Sequence, residues 1–139
     1  MAEEHTILIV DDDVDFAESN KDLLEACGYS VVTAHDGSSG LQVARATRPD
    51  LMILDVMMAT DTDGFEVARA IPQTPELQGL PVLLVTGIEK ALNLSEGLKP
   101  DETWLPVERI LEKPIDPGRL LKEVEKILKK QPPKGESHD

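Results

Sequence analysis

At 139 residues with 40% hydrophobic side chains, the chain is long enough for one domain with a real core and too short for two of ordinary size. A formal charge of -13 argues against a nucleic-acid backbone as partner, which would demand a Lys/Arg patch, and leaves proteins and cations as the natural partners. No apolar stretch approaches the roughly 20 residues of a membrane span, Met1-Ala2-Glu3-Glu4-His5 lacks the basic start of a signal peptide, and the single cysteine, Cys27, excludes a disulfide framework or thiolate metal site.

The expected location is therefore cytoplasmic, with no membrane contact, and most of the 27 acidic residues are expected simply to keep the surface solvated. Thr6-Ile7-Leu8-Ile9-Val10 is a β-branched and aliphatic run that stops at Asp11-Asp12-Asp13, the signature of a buried strand with acids at its C-terminal end. From Val14 to Cys27, apolar residues at Phe16, Ala17, Leu23, Leu24 and Cys27 suit one helix face; one of the acids caps its start and Gly28 stops it. Cys27 is expected to be a small buried apolar group.

Tyr29 to Ala34 reads as a second strand, and Asp36-Gly37-Ser38 opens a helix that turns Leu41, Val43, Ala44 and Ala46 inward. Arg48-Pro49-Asp50 then turns the chain into Leu51-Met52-Ile53-Leu54-Asp55, an apolar run ending in a carboxylate, as expected of a strand buried on both faces of a parallel sheet. A helix from about Gly64 to Ile71 carries Phe65, Val67, Ala68 and Ile71, and Pro72 and Pro75 end it. Pro81 to Val85 is a fourth apolar strand stopping at Thr86-Gly87.

Between Gly87 and Pro106 the periodicity is weak, so a short helix over 89–96 and a long connection are expected. Arg109-Ile110-Leu111-Glu112 is a short edge-like strand ending at Lys113-Pro114. The clearest helix follows: Asp116 as N-cap, Pro117 in the first turn, Leu120, Leu121, Val124, Ile127 and Leu128 on one stripe, and Lys129-Lys130 at its end. Residues 1–5 form an N-terminal lead, 6–130 one domain, and the polar, Pro/Gly-containing stretch 131–139 a disordered tail.

Five strand-then-helix units imply an α/β fold of the flavodoxin-like, doubly wound (βα)5 kind. That is a three-layer sandwich around a parallel five-stranded sheet of order 2-1-3-4-5, since each crossover is right-handed and needs a covering helix. In that order the first and third strands are neighbours at the switch point, where open α/β sheets bind ligands, which brings Asp11, Asp12 and Asp55 together. Three carboxylates so close repel one another and cost stability unless a cation neutralises them, and all-oxygen ligation favours Mg2+. Thr86 and Lys113, at the ends of the fourth and fifth strands, face the same crevice.

Carboxylates, a hydroxyl and a lysine then converge on phosphoryl chemistry. An Asp held beside such an ion could attack phosphorus as the bond to the phosphodonor breaks, giving an acyl phosphate, while Mg2+ and the Lys113 ammonium would offset the charge on the transferring oxygens and Thr86 could donate its hydroxyl to the attached group. Each residue alone has a plainer reading: an Asp after a strand is commonly a helix cap, which is the role expected for Asp13, Asp36 and Asp63, and Thr-Gly and Lys-Pro commonly mark turns. What favours the functional reading is that four strands end in site-competent residues at one sheet edge.

Ile7-Leu8-Ile9-Val10-Asp11-Asp12-Asp13, Ile53-Leu54-Asp55-Val56-Met57-Met58, Asp63-Gly64-Phe65-Glu66, Val85-Thr86-Gly87 and Glu112-Lys113-Pro114, in that order, resemble the receiver domain of two-component response regulators from about Thr6 to Lys130. The resemblance implies phosphotransfer from a histidine kinase or phosphotransfer protein of a phosphorelay to Asp55. Asp11 and Asp12 would be the acid pair, the Met57 backbone carbonyl a further Mg2+ ligand, Thr86 the switch hydroxyl and Lys113 the site lysine. It also implies a two-state switch on the face made by the helix before the fifth strand, that strand and the final helix, read by a downstream protein, with a monomer or a phosphorylation-dependent dimer as the assembly.

The chain departs from the family pattern at three places. Ala59-Thr60-Asp61-Thr62-Asp63 lacks the usual Pro and is longer; Ile110 stands where an aromatic switch residue is common; and 87–109 is longer and richer in breakers, with Trp104 either a contact for a partner or, the reading favoured, a cover for the core. Met57 and Ile88, which in the family flank the phosphoryl group, are both apolar, so slow autodephosphorylation is expected. The acyl-phosphate lifetime should shorten in Met57→Asn; a wild-type lifetime of seconds, unchanged in the variant, would contradict this.

The function expected is thus a stand-alone, phosphorylation-controlled binding module that turns over no external substrate. Two alternatives are distinguishable. A Mg2+-dependent phosphatase of the haloacid dehalogenase type would hydrolyse a generic phosphate ester in a reaction lost in Asp12→Ala or Asp11→Asn but kept in Asp55→Asn. A phosphorylation-independent scaffold would bind its partner without accepting phosphate at all.

Overall fold

Two hydrophobic cores, one on each side of a sheet, are the direct result of strand runs that carry no polar residue on either face. The computed structural model describes residues 5–55, 64–86, 109–112 and 115–129. Along these runs the side chains alternate between cores. Leu8, Val10, Met52, Leu54, Val82 and Leu84 enter one, and Ile7, Ile9, Leu51, Ile53, Leu83 and Val85 enter the other.

The strands are β1 (Thr6–Val10), β2 (Ser30–Ala34), β3 (Leu51–Asp55), β4 (Val82–Thr86) and β5 (Arg109–Glu112), all parallel and ordered β2-β1-β3-β4-β5. β3 is buried along its whole length, as a central strand covered on both faces must be. Helices α1 (Val14–Ala26) and α4 (Pro117–Lys129) cover one face through Ala17, Leu24, Leu120, Val124, Ile127 and Leu128. Helices α2 (Gly37–Thr47) and α3 (Gly64–Ala70) cover the other through Ala44, Val67 and Ala68. No described helix is long and apolar enough to cross a membrane.

Local chemistry sets the element ends. Asp13, Asp36 and Asp116 each accept from a backbone N–H three residues on, those of Phe16 (3.1 Å), Ser39 (2.7 Å) and Arg119 (3.1 Å), so all three helices start on an aspartate cap. Gly28, at φ +100°, turns the chain out of α1 while its N–H donates to the Glu25 carbonyl at 3.0 Å. Asp50 locks the opposite edge of the sheet: its N–H donates to the Thr6 carbonyl (2.7 Å) and its carboxylate accepts from the Thr6 N–H (2.8 Å).

Three expectations need correction. Cys27 is exposed, because it occupies the C-cap of α1 with non-helical backbone (φ -94°, ψ 4°) and so leaves the helical face that carries Leu24 inward. Ala46 is exposed because it lies about 200° around α2 from the buried Ala44. The segment after α3 continues as two short 3-10 turns, Ile71–Gln73 and Pro75–Leu77, so Pro72 and Pro75 begin turns rather than simply ending a helix. Asp63, the helix expected over 89–96, Trp104 and the tail beyond Lys130 lie outside the described residues.

Helix α2 rides unusually close to β1. A methyl group at Gly40 would lie 2.9 Å from both methyl carbons of Val10, so α2 can approach only because residue 40 has no side chain. Gly40→Ala is therefore expected to destabilise the fold by about 1–3 kcal/mol, and by distinctly less in a Val10→Ala background. Denaturant unfolding of the double-mutant cycle checks this, and strictly additive values would contradict it.

The Asp36 cap gives a pH signature. The backbone N–H of Ser39, then its hydroxyl, hold the Asp36 carboxyl below its ordinary value of 3.8. A carboxyl lowered on folding contributes stability that is complete above that ordinary value and is lost as the pH falls through the lower, folded value. The stability gap between wild type and Asp36→Ala should thus be constant near neutrality and narrow only below pH 3.8; a gap unchanged into strong acid would contradict the assignment.

Candidate functional site

The site forms where the apolar runs of β1 and β3 stop. Val10 pairs in register with Leu54, so the next residue on each strand, Asp11 and Asp55, stand level at the C-terminal edge of the sheet. Both are charged residues inside the protein, Asp11 at 0% and Asp55 at 3% exposure, while Asp12 is half-buried. One carboxylate oxygen from each of Asp11, Asp12 and Asp55 lies within 4.8 Å of the other two.

The β1–α1 corner holds Asp11 firmly. Its N–H donates to the Ala34 carbonyl of β2 at 3.0 Å, and its Oδ1 accepts from the Asp13 N–H at 2.8 Å. Asp13 in turn caps α1, so the cap and the acidic corner form one hydrogen-bonded unit. On its outer side the Asp11 carbonyl oxygen meets Nδ1 of His35 at 3.0 Å.

The donor set fits a hard divalent cation. All three side chains offer oxygen, which suits Mg2+ or Ca2+ rather than a soft transition metal. Two oxygens sharing one Mg2+ sit at most roughly 4.2 Å apart, so a spread of 4.8 Å is within small carboxylate rotations of a shared ion. Burial adds to the case, since two carboxylates have given up most of their water and a cation restores favourable charge.

The remaining expected site residues are placed less fully. Thr86 is the last residue of β4, level with Glu112 of β5, at the same sheet edge as Asp55; its side chain is not among those described. Met57 and Lys113 lie outside the described residues, Lys113 being the residue after the end of β5. Sequence reading missed His35. Its signal was available in the strand order, because the β2–β1 register pairs Val10 with Ala34 and so sets the residue just after β2 beside Asp11. A buried carboxylate on α4, Glu123, also went unforeseen; it has Arg119 Nε at 3.7 Å on the preceding turn.

Comparison with known proteins adds an independent line. Residues 7–125 match the family described as the response regulator receiver domain. Among curated relatives, the response regulator MprA of Mycobacterium avium is 35% identical over 132 residues, covering 94% of this chain and 54% of the relative. MprA of Mycobacterium tuberculosis is 36% identical over 128 residues, covering 91% and 52%. The chain thus spans about half the length of the curated relatives it matches. Among solved structures, the chemotaxis protein CheY4 of Vibrio cholerae superposes with a TM-score of 0.74 at 29% identity, over 90% of this chain and 99% of that one. A response regulator of Chloroflexus aurantiacus gives 0.73 at 31% identity, over 89% and 97%. Family match, sequence relatives and solved structures all cover the stretch that carries the acidic edge, and the protein belongs to the response regulator receiver domain family.

Proposed function

We propose that this receiver takes a phosphoryl group onto Asp55 from a histidine kinase or phosphotransfer protein, in a Mg2+-dependent reaction, and that the resulting acyl phosphate switches its interaction with a downstream protein. The observation that carries this reading is the juxtaposition of Asp11, Asp12 and Asp55 at the sheet edge, with oxygens within 4.8 Å. Asp11, Asp12, Asp55 and the Met57 backbone carbonyl would hold the ion. When bound, Mg2+ supplies positive charge that offsets the charge on the transferring oxygens.

The chemistry of the chain itself is short. An Asp55 carboxylate oxygen attacks phosphorus, the P–N bond to the donor histidine breaks, and the histidine nitrogen leaves with the electron pair. Asp55 is suited to this because it sits at the end of a rigid, fully buried strand, where little reorganisation is needed to present one oxygen. Lys113 would balance charge on the acquired phosphoryl oxygens and Thr86 would donate its hydroxyl to them, coupling the modification to β4 and β5.

Around this core the proposal is that the functional unit runs over 6–130 as a full (βα)5 receiver. It would be cytoplasmic, turn over no external substrate, bind neither nucleic acid nor membrane by itself, and act as a monomer or a phosphorylation-dependent dimer. The test is incubation with acetyl phosphate with and without Mg2+, followed by intact mass and mapping of the modified residue. One phosphoryl group on Asp55, only with Mg2+, is the expected result. No adduct, or an adduct elsewhere, would overturn the proposal.

A further inference from the structure

We infer that His35 is a positioning residue for the acidic corner: by donating Nδ1–H to the Asp11 carbonyl it clamps the peptide plane between Asp11 and Asp12 and so aims the Asp12 carboxylate. The inference rests on the Mg2+-binding reading above. A carbonyl oxygen only accepts, so at 3.0 Å the ring nitrogen must be the donor. The neutral Nδ1–H tautomer and the imidazolium both provide that donor, so the contact does not depend on the charge of the ring.

The consequence follows from backbone geometry. The Asp11 carbonyl and the Asp12 N–H belong to one planar peptide unit. Turning that unit changes ψ of Asp11 and φ of Asp12 together, which swings the Asp12 side chain. Asp11 is already tied through its N–H to Ala34 (3.0 Å) and through Oδ1 to the Asp13 N–H (2.8 Å). The His35 contact fixes the remaining polar atom of that residue's backbone, on the side that leads into Asp12. His35 is itself exposed, so the ring is held in place by this polar contact rather than by the core.

The test uses the full chain with His35→Ala and His35→Asn. Asparagine also carries an N–H donor on an atom bonded to Cγ, as histidine does through Nδ1, and so should restore the contact. Three quantities are read: the Mg2+ dissociation constant by calorimetric titration with MgCl2, the initial rate of phosphorylation by acetyl phosphate against Mg2+ concentration, and the unfolding midpoint without Mg2+. His35→Ala is expected to raise the dissociation constant about fivefold, the worth of one ordinary hydrogen bond. Its rate at saturating Mg2+ should stay within about twofold of wild type, and His35→Asn should recover most of the affinity. An unchanged dissociation constant in His35→Ala, or a loss that His35→Asn does not rescue, would overturn the inference alone. Absence of Mg2+ binding by the unaltered chain would overturn the functional reading along with it.

Discussion

Asp55→Asn protein is expected to acquire no phosphoryl group from acetyl phosphate, with the initial rate lower by at least about a thousandfold. Asparagine keeps nearly the same shape at the end of β3, so the paired strand and both cores should survive, and circular dichroism should be unchanged. What disappears is the anionic oxygen: an amide oxygen is a poor nucleophile and carries no net charge. Because Asp11 stands level with Asp55 and Asp12 lies beside it, the variant also asks whether a neighbour can substitute. Asp11 is held through its own Oδ1 by the Asp13 N–H, which lowers its freedom to attack. Intact mass after a long incubation measures the outcome, and an adduct formed at wild-type rate would contradict the role of Asp55.

Asp12→Asn should act in opposite directions on stability and on function. The three carboxylates lie within 4.8 Å of one another, and Asp12 is the half-exposed member, so solvent screens its share of the repulsion without removing it. Neutralising it is expected to raise the stability of the metal-free protein by about 1–2 kcal/mol. On the proposed reading the same change also takes away one charged ligand of the ion, so the stabilisation produced by adding Mg2+ should largely vanish, and phosphorylation should slow by about a hundredfold or more. Such a trade of stability against activity is the mark of a site arranged for chemistry rather than for the fold. Urea unfolding with and without Mg2+ measures both halves. A variant less stable without Mg2+ and still stabilised by it would contradict the prediction.

Much of this arrangement was legible in the residues, and the reason is specific. The strands announce themselves because a doubly covered strand has no polar position on either face, so Ile7 to Val10, Leu51 to Leu54 and Val82 to Val85 appear as unbroken apolar runs. Where such a run ends in Asp, the carboxylate must emerge at the sheet edge, and Asp11 and Asp55 do so. Helix caps were equally plain, since Asp13, Asp36 and Asp116 each serve the N–H three residues on.

The misses have separate local causes. Cys27 fits the helical period of α1 yet lies at its cap, where the period no longer applies. Ala46 is apolar but small, and its spacing of two residues from Ala44 already turns it about 200° away from the buried face of α2, so its apolar character misled where the helical period did not. Arg48 ends α2 in the left-handed region at φ 51°, a position for which a glycine or asparagine would have been the readable signal. Glu123 and His35 stand out only through contacts that residue type does not announce, one with Arg119 on the same helix and one with the backbone carbonyl of Asp11, just past the end of β1.

The most direct measurement is the Mg2+ dependence of unfolding in the unaltered chain. If the acidic trio is a cation site, the unfolding midpoint rises steadily with MgCl2 through the millimolar range, and the rise is lost when Asp11 and Asp12 are both replaced by Asn. A midpoint indifferent to MgCl2, or one that rises equally in the doubly substituted chain, would contradict the account.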